Sequence, residues 1–232
     1  MTLYIIPTPI SDNIKDTIPA GVLDIMYGLK YFIVERARTA RRYIKSSGYT
    51  GDISQMVFYE LDKHNAGNIP LDFFKPALEG NAIGLMSEAG MPGIADPGAK
   101  VVSKARSLGI KIIPLTGPSS IFLALAASGL NGQYFTFNGY LPIEKQELSR
   151  KLRFIEKDIF TNNTTHIFIE TPYRNNKLIS TILRSFNKSI KFCIASEITG
   201  QNEYINTLPI EQWIKTGTPD MHKKTCIFLL GR

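Results

Sequence analysis

The chain is poor in the residues that build covalent or metal frameworks: two cysteines, one tryptophan and three histidines among 232 residues. Cys193 and Cys226 are too few and too far apart for a disulfide framework or a zinc motif. Both lie in apolar, strand-like runs, so they read as buried free thiols in a reducing cytoplasm. His64, His166 and His222 are dispersed without metal-ligand spacing, so no metal is expected and each reads as a surface or structural histidine. No apolar run approaches the ~18 residues of a membrane span. The start, MTLYIIPTPISDN, lacks a basic region followed by a long apolar core, so a signal peptide is not expected. The expectation is a cytoplasmic protein without a membrane partner. Three nucleotide and nucleophile motifs are also missing. No G-x-G-x-x-G follows the first strand-like run, where the chain reads Ile6-Pro7-Thr8-Pro9-Ile10-Ser11. Neither a G-x-x-x-x-G-K-[ST] loop nor a G-x-S-x-G elbow occurs. Dinucleotide-binding dehydrogenases, P-loop enzymes and serine hydrolases are therefore disfavoured.

What is present is an ordinary globular composition, 44% hydrophobic and 20% charged, with a net charge of +7. Arg36, Arg38, Arg41, Arg42 and Lys45 crowd one stretch, and Lys145, Arg150, Lys151, Arg153 and Lys157 another. Such runs suit phosphates, and equally suit a solvated helix face. Apolar strand-like runs recur at 3–6, 31–34, 57–59, 82–86 and 111–115, then at 134–138, 166–169, 192–196, 203–207 and 225–230. Helical patterns lie between them at 39–46, 70–79, 99–108, 119–127, 144–157 and 175–185. Strands alternating with helices predict an α/β fold whose sheet is largely parallel. The last strands lack long helices between them, which predicts a mixed second sheet. A composition break near 114–119 divides the chain into two α/β domains, 1–115 and 116–232, with a ligand cleft expected between them.

The densest loop is Ser87-Glu88-Ala89-Gly90-Met91-Pro92-Gly93-Ile94-Ala95-Asp96-Pro97-Gly98, directly after an apolar strand. Three glycines and two prolines exclude regular structure there. Such a loop at a strand end brings backbone close to a ligand. Other polar strand-end segments are Thr8-Pro9-Ile10, Glu35-Arg36, Thr116-Gly117-Pro118-Ser119-Ser120, Glu170-Thr171-Pro172-Tyr173-Arg174 and Ser196-Glu197. Pro118 with Ser119 or Ser120 also suits the capped entrance of a helix.

Six motifs in order resemble a known family. They are S-E-A-G-M-P-G-I-A-D-P-G at 87–98, P-L-T-G-P-S-S at 114–120, A-S-G-L at 127–130, F-N-G-Y-L-P at 137–142, E-T-P-Y-R at 170–174 and A-S-E-I-T at 195–199. Together they resemble the ribosomal small-subunit methyltransferase I family, within the tetrapyrrole-methylase (class III) superfamily of S-adenosylmethionine enzymes. The resemblance implies two α/β domains, an S-adenosylmethionine cleft between them, a homodimer, and methyl transfer to the 2′-oxygen of a cytidine in 16S ribosomal RNA. It places the cofactor at Pro9, Ser87, Glu88, Ala89, Gly90, Ile94, Ala95, Asp96, Thr116, Gly117 and Ser119, with Leu141, Thr171 and Ser196 from the second domain. In two respects the chain departs from the family. An E-D-T-R sequence usual after the second strand reads Glu35-Arg36-Ala37-Arg38 here, so an arginine replaces an acid. A C-terminal extension carried by many members is not matched beyond Arg232.

A ribose hydroxyl is a poor nucleophile, so a general base would help it attack a sulfonium methyl. Glu35, Glu88 and Glu170 are the candidates, each at a strand-end loop; each carboxylate equally suits a helix cap or an arginine partner. Arg36, Arg38 and Arg174 are the candidates for holding ribosomal RNA or the small ribosomal subunit through phosphates. Two other activities remain open at this point: methylation of a small molecule such as a tetrapyrrole, and cofactor binding without catalysis. The altered Arg36 motivates both.

Overall fold

The computed structural model describes residues 1–61 and 69–232; His64 lies outside the described residues. The chain divides into two compact units, 1–119 and 120–232. The division follows Ser119 because the turn after the fifth strand stays with the first unit. There the Leu115 N–H donates to the Ile5 carbonyl at 3.0 Å, and Gly117 packs directly on Pro7.

In the first unit the chain runs β1 (Thr2–Ile5), α1 (Ile14–Thr17), α2 (Ala20–Tyr27), β2 (Tyr31–Val34), α3 (Ala37–Ser46), β3 (Val57–Glu60), α4 (Lys75–Leu78), β4 (Ala82–Met86), α5 (Gly98–Ser107) and β5 (Lys111–Pro114). All strand pairs are parallel, in the order β3-β2-β4-β1-β5. The inner strands are continuously apolar because both faces are covered. On one face Ile6, Phe32, Val34 and Met86 pack with Val22, Met26, Ala40, Tyr43 and Ile44 of α2 and α3. On the other, Leu3, Ile33, Ile83 and Leu85 pack with Phe74, Ala77, Val101 and Ala105. Right-handed crossovers explain the split: α1–α3 cover one face, and α4 and α5 the other. The neighbouring strands β1 and β4 therefore send their following loops to opposite faces. That is a topological switch point, where open α/β sheets leave a crevice for ligands.

In the second unit, α6 (Ser120–Ser128), β6 (Phe135–Tyr140), α7 (Lys145–Asn162), β7 (Thr165–Ile169), α8 (Asn175–Ser185), β8 (Lys191–Ser196), β9 (Tyr204–Pro209), α9 (Ile210–Thr216) and β10 (Cys226–Gly231) follow. The sheet order is β6-β7-β10-β8-β9, with only β6–β7 parallel. Its core holds a stack of Phe168, Phe228 and Phe192, with successive ring centroids 5.9 Å apart. Trp213 seals one end, and its indole N–H donates to the Phe192 carbonyl at 2.8 Å.

Three differences from the sequence expectations have local causes. Helix α2 forms where no helical pattern was expected: Pro19 sits just before the first helical residue, where its missing donor costs nothing, and Val22 and Met26 turn inward one turn apart. The segment 70–79 is a 3₁₀ turn, Leu71–Phe74, running into the short α4. Strand β6 continues past Asn138 to Tyr140, because Gly139 at φ +62° and a register shift between Phe137 and Tyr140 form a bulge rather than a turn. Among the described residues no helix is long and apolar enough to cross a membrane.

Candidate active site

The loops after β1 and β4 are stitched together at the switch point. Thr8 and Gly90 exchange backbone hydrogen bonds of 2.9 and 3.0 Å, and the Thr8 hydroxyl adds a third to the Gly90 carbonyl at 3.2 Å. Gly90 meets this bridge at φ +78°, a conformation that L side chains avoid. Farther along, Ala95 adopts φ +64° without being glycine. Asp96 next to it holds the loop in place. Its carboxylate accepts from the Gly93 N–H at 2.8 and 3.0 Å and from the Gly98 N–H, the start of α5, at 2.6 Å. Burial raises the Asp96 pKa while those N–H groups oppose the rise. Asp96 is therefore a loop-shaping group, and Ile94 and Ala95 are left exposed beside it.

A cavity of about 470 Å³ opens beside the bridge, within the range of small-ligand sites. Thr8 to Asp12 form one wall, Ser87, Glu88 and Ala89 another, and Thr39, Arg42, Tyr43 and Ser46 of α3 a third. Four of the expected cofactor residues, Pro9, Ser87, Glu88 and Ala89, thus line one cavity. Arg42 and Asp12, which no motif singled out, line it too. The buried Tyr43 ring braces α3, its hydroxyl donating to the Pro7 carbonyl at 3.3 Å.

Glu35 stands at the tip of β2. Its carboxylate accepts from the Glu88 N–H at 3.0 Å. Burial is the main cause of a raised pKa, that N–H opposes it, and the nearby Asp96 and Glu88 charges add to it. Glu88 itself accepts from the Thr39 hydroxyl at 3.2 Å. The tips of β2 and β4 and the first turn of α3 thus meet through two carboxylates.

Arg36 occupies the N-cap position of α3 but contributes no side-chain cap. Glu60, at the end of β3, satisfies a different N–H at this helix start, its carboxylate accepting from the Ala37 N–H. An acid at position 36 would cap the helix itself and complement its dipole. Replacing Arg36 with Asp is therefore expected to stabilise the chain by about 0.5–1 kcal/mol. Glu60→Ala should cost stability in either background, since an acid at position 36 would reach the second or third helical N–H and not that of Ala37. Urea denaturation of the two single variants and the double variant measures this; no gain from the Asp substitution would show that the helix start needs no further cap.

The remaining expected residues fall elsewhere. Thr116, Gly117 and Ser119 form the turn after β5, beside Pro7 and Gly90. Leu141, Thr171, Ser196, Glu170 and Arg174 belong to the second unit. The Leu141 side chain is packed into that unit's core, which leaves only its backbone for a ligand. The buried Glu170 is held by Arg174 at 2.8 Å and by the Thr171 N–H at 2.7 Å. A carboxylate so engaged serves to fix the 170–174 turn, and Arg174 is committed to the same pair. Ser196 is fully buried opposite Cys226. Among the histidines, buried His166 pairs with Asp158 at 2.8 Å and burial lowers its pKa, while His222 packs edge-on against Tyr173. No group of acidic, histidine or cysteine side chains among the described residues is arranged to hold a metal.

Residues 39–213 match the family profile described as tetrapyrrole (corrin/porphyrin) methylases. The chain is similar to ribosomal RNA small subunit methyltransferase I of Vibrio cholerae, with 32% identity over 222 residues, covering 96% of this chain and 73% of that protein. It is similar to the protein of the same name from Escherichia coli O157:H7, at 30% identity over 92% of this chain and 72% of the other. The Bacillus subtilis protein of that name is 30% identical over 77% of this chain and 57% of its own. Among solved structures, the methyltransferase CobJ superposes with a TM-score of 0.66 over 100% of this chain and 94% of the other, at 14% identity. That likeness concerns the fold.

Proposed function

The chain belongs to the tetrapyrrole (corrin/porphyrin) methylase family and is an S-adenosylmethionine-dependent methyltransferase, and from this premise we propose that it methylates the 2′-oxygen of a cytidine in 16S ribosomal RNA. The relatives' names support ribosomal RNA as the substrate. The observation that carries the chemistry is Glu35, a half-buried carboxylate with a raised pKa at the switch-point rim. A homodimer in the cytoplasm belongs to the same proposal.

The cavity chemistry fits the cofactor. Asp12 and Glu88 suit its positive sulfonium and ammonium groups, Arg42 suits its carboxylate, and Pro9, Ala89 and the backbone of Ser87–Ala89 suit the nucleoside. When bound, S-adenosylmethionine supplies an electrophilic methyl group, so no metal is called for. The protein's work is then mainly alignment, which is worth several orders of magnitude in rate. The Thr8–Gly90 bridge and the Asp96 clamp fix the loops that align the reactants. Glu35 accepts the proton of the attacking ribose hydroxyl through the oxygen not engaged with the Glu88 N–H. Arg36 and Arg38, exposed at the start of α3, take backbone phosphates.

The test is transfer of labelled methyl groups to small ribosomal subunits, or to their RNA, prepared from cells lacking this gene. Label at a single cytidine ribose is the expected result. Label appearing only in a small metabolite would overturn the RNA assignment, and cofactor binding without transfer to any fraction would overturn catalysis.

A further inference from the structure

We propose that the solvent-facing ridge of α7, formed by Arg150, Arg153, Phe154 and Lys157, is a docking track for single-stranded ribosomal RNA. The inference rests on the reading that the methyl acceptor is RNA, and it assigns to that RNA a surface separate from the cavity.

At about 100° per residue, the α7 sequence sorts into two faces. Leu152, Ile155 and Ile159 enter the core and Leu148 packs against it. Arg150, Arg153, Phe154 and Lys157 lie within about 60° of the opposite direction. The three cations follow one another at intervals of about 4.5 and 6 Å along the axis, comparable to the repeat of an extended phosphate chain. None of them takes part in an ion pair found among the described residues.

The acids of α7 are turned away from this ridge. Glu156 accepts from the Asn187 N–H at 2.6 Å. Asp158 is occupied by His166 at 2.8 Å and Asn162 at 2.6 Å. Glu144 caps the helix through the Glu147 N–H at 2.8 Å. The charges that remain outward are cationic, apart from Glu147 in the first turn, where the helix dipole favours an acid.

Phe154 stands among the cations with 58% of its surface exposed. An exposed ring flanked by cations is the arrangement on which unpaired bases stack. The Lys151 ammonium lies over one face of the ring, 5.4 Å from its centroid, so a base would stack on the ring surface that this contact leaves exposed, with a cation at its back. At the helix end Phe160 is paired with the Arg232 guanidinium at 5.5 Å, repeating the combination. A second copy of this chain meeting the ridge across a two-fold axis would set cations against cations, so charge favours the polyanion over self-association.

The experiment uses the full chain with Arg150→Gln/Arg153→Gln/Lys157→Gln as one variant and Phe154→Ala as another. The three cations are outward, and Phe154, though more than half exposed, also meets the buried His166 ring edge-on with centroids 6.4 Å apart; melting temperature, S-adenosylmethionine affinity and elution volume therefore check that each variant folds. Methylation of small-subunit RNA is measured at several salt concentrations. The triple variant is expected to raise the KM for RNA about tenfold or more, leave kcat near wild type, and flatten the logarithmic salt dependence by about two. Phe154→Ala is expected to raise that KM about fivefold or more. An unchanged KM and salt slope in both variants, with a wild-type chain that methylates RNA, would overturn the track. So would a change of oligomeric state with RNA affinity intact, which would make the ridge a protein interface. If the unaltered chain neither binds nor methylates RNA, the RNA reading fails and the track fails with it; that outcome is visible before any variant is measured.

Discussion

Glu35→Gln is expected to lower kcat for methyl transfer by about 10²–10⁴-fold, the usual loss on removing a general base. Gln keeps the side-chain oxygen that accepts from the Glu88 N–H, so the rim geometry and cofactor affinity should survive. The pH dependence gives a second readout. Burial raises the Glu35 pKa above its ordinary 4.5, and only the carboxylate form accepts a proton. In the wild type, kcat should rise tenfold per pH unit up to that raised value and level off above it. Stability has the opposite sign. A raised folded-state pKa means that the native state binds this proton more tightly than the unfolded chain. Between 4.5 and the raised value, stability therefore falls as pH increases. The neutral amide removes that penalty, so the Gln variant should melt no lower than wild type at neutral pH. An inactive variant with a depressed melting temperature would point to a structural Glu35, and a fully active one would remove it from the mechanism.

Much of this architecture is legible in the sequence, for physical reasons that also explain what is not. Strands such as Tyr31–Val34 and Ala82–Met86 are marked by short apolar runs that end in polar or glycine-bearing loops, and the structure keeps those bounds. The parallel first sheet and mixed second sheet follow from whether a long helix separates successive strands. Helix α9 escapes notice because only Ile210 and Trp213 are buried in it, too short a pattern to establish a period. In the site, glycine and proline density marks the loop at 87–98. It gives no sign that Thr8 and Gly90 pair across 82 positions, since pairing is a property of the strand order. Glu60 is ordinary in its own segment, and Arg42 reads there only as one of a basic run; each acquires its place only when β3 and α3 flank the rim. Glu170 misleads in the opposite direction. Its strand-end position resembles that of Glu35, but Arg174, four residues on across the turn, pairs with it.

Gly117→Ala is expected to be among the most damaging single changes in the first unit, although it adds one methyl group. A Cβ at this position would stand 2.1 Å from the Pro7 Cβ and 2.3 Å from its Cγ. The pyrrolidine ring cannot rotate away, and Pro7 is buried, so backbone must move. Leu115 ties the turn to β1 through Ile5 on one side, and Thr8 ties Pro7 to Gly90 on the other. Either displacement pulls on the bridge that joins the two loops at the switch point. Overpacking of this kind costs about 1–3 kcal/mol, and a shift of the loops on the order of 1 Å can lower a rate about 10²-fold. Gly132→Ala provides the control, because a Cβ there meets nothing within 4 Å and the backbone is not left-handed. Urea denaturation and calorimetric titration with S-adenosylmethionine should separate the two variants, with Gly117→Ala losing both stability and affinity. If Gly117→Ala matched the control in both, the turn after β5 would be free to adjust, and the cofactor site could not depend on the contact between Gly117 and Pro7.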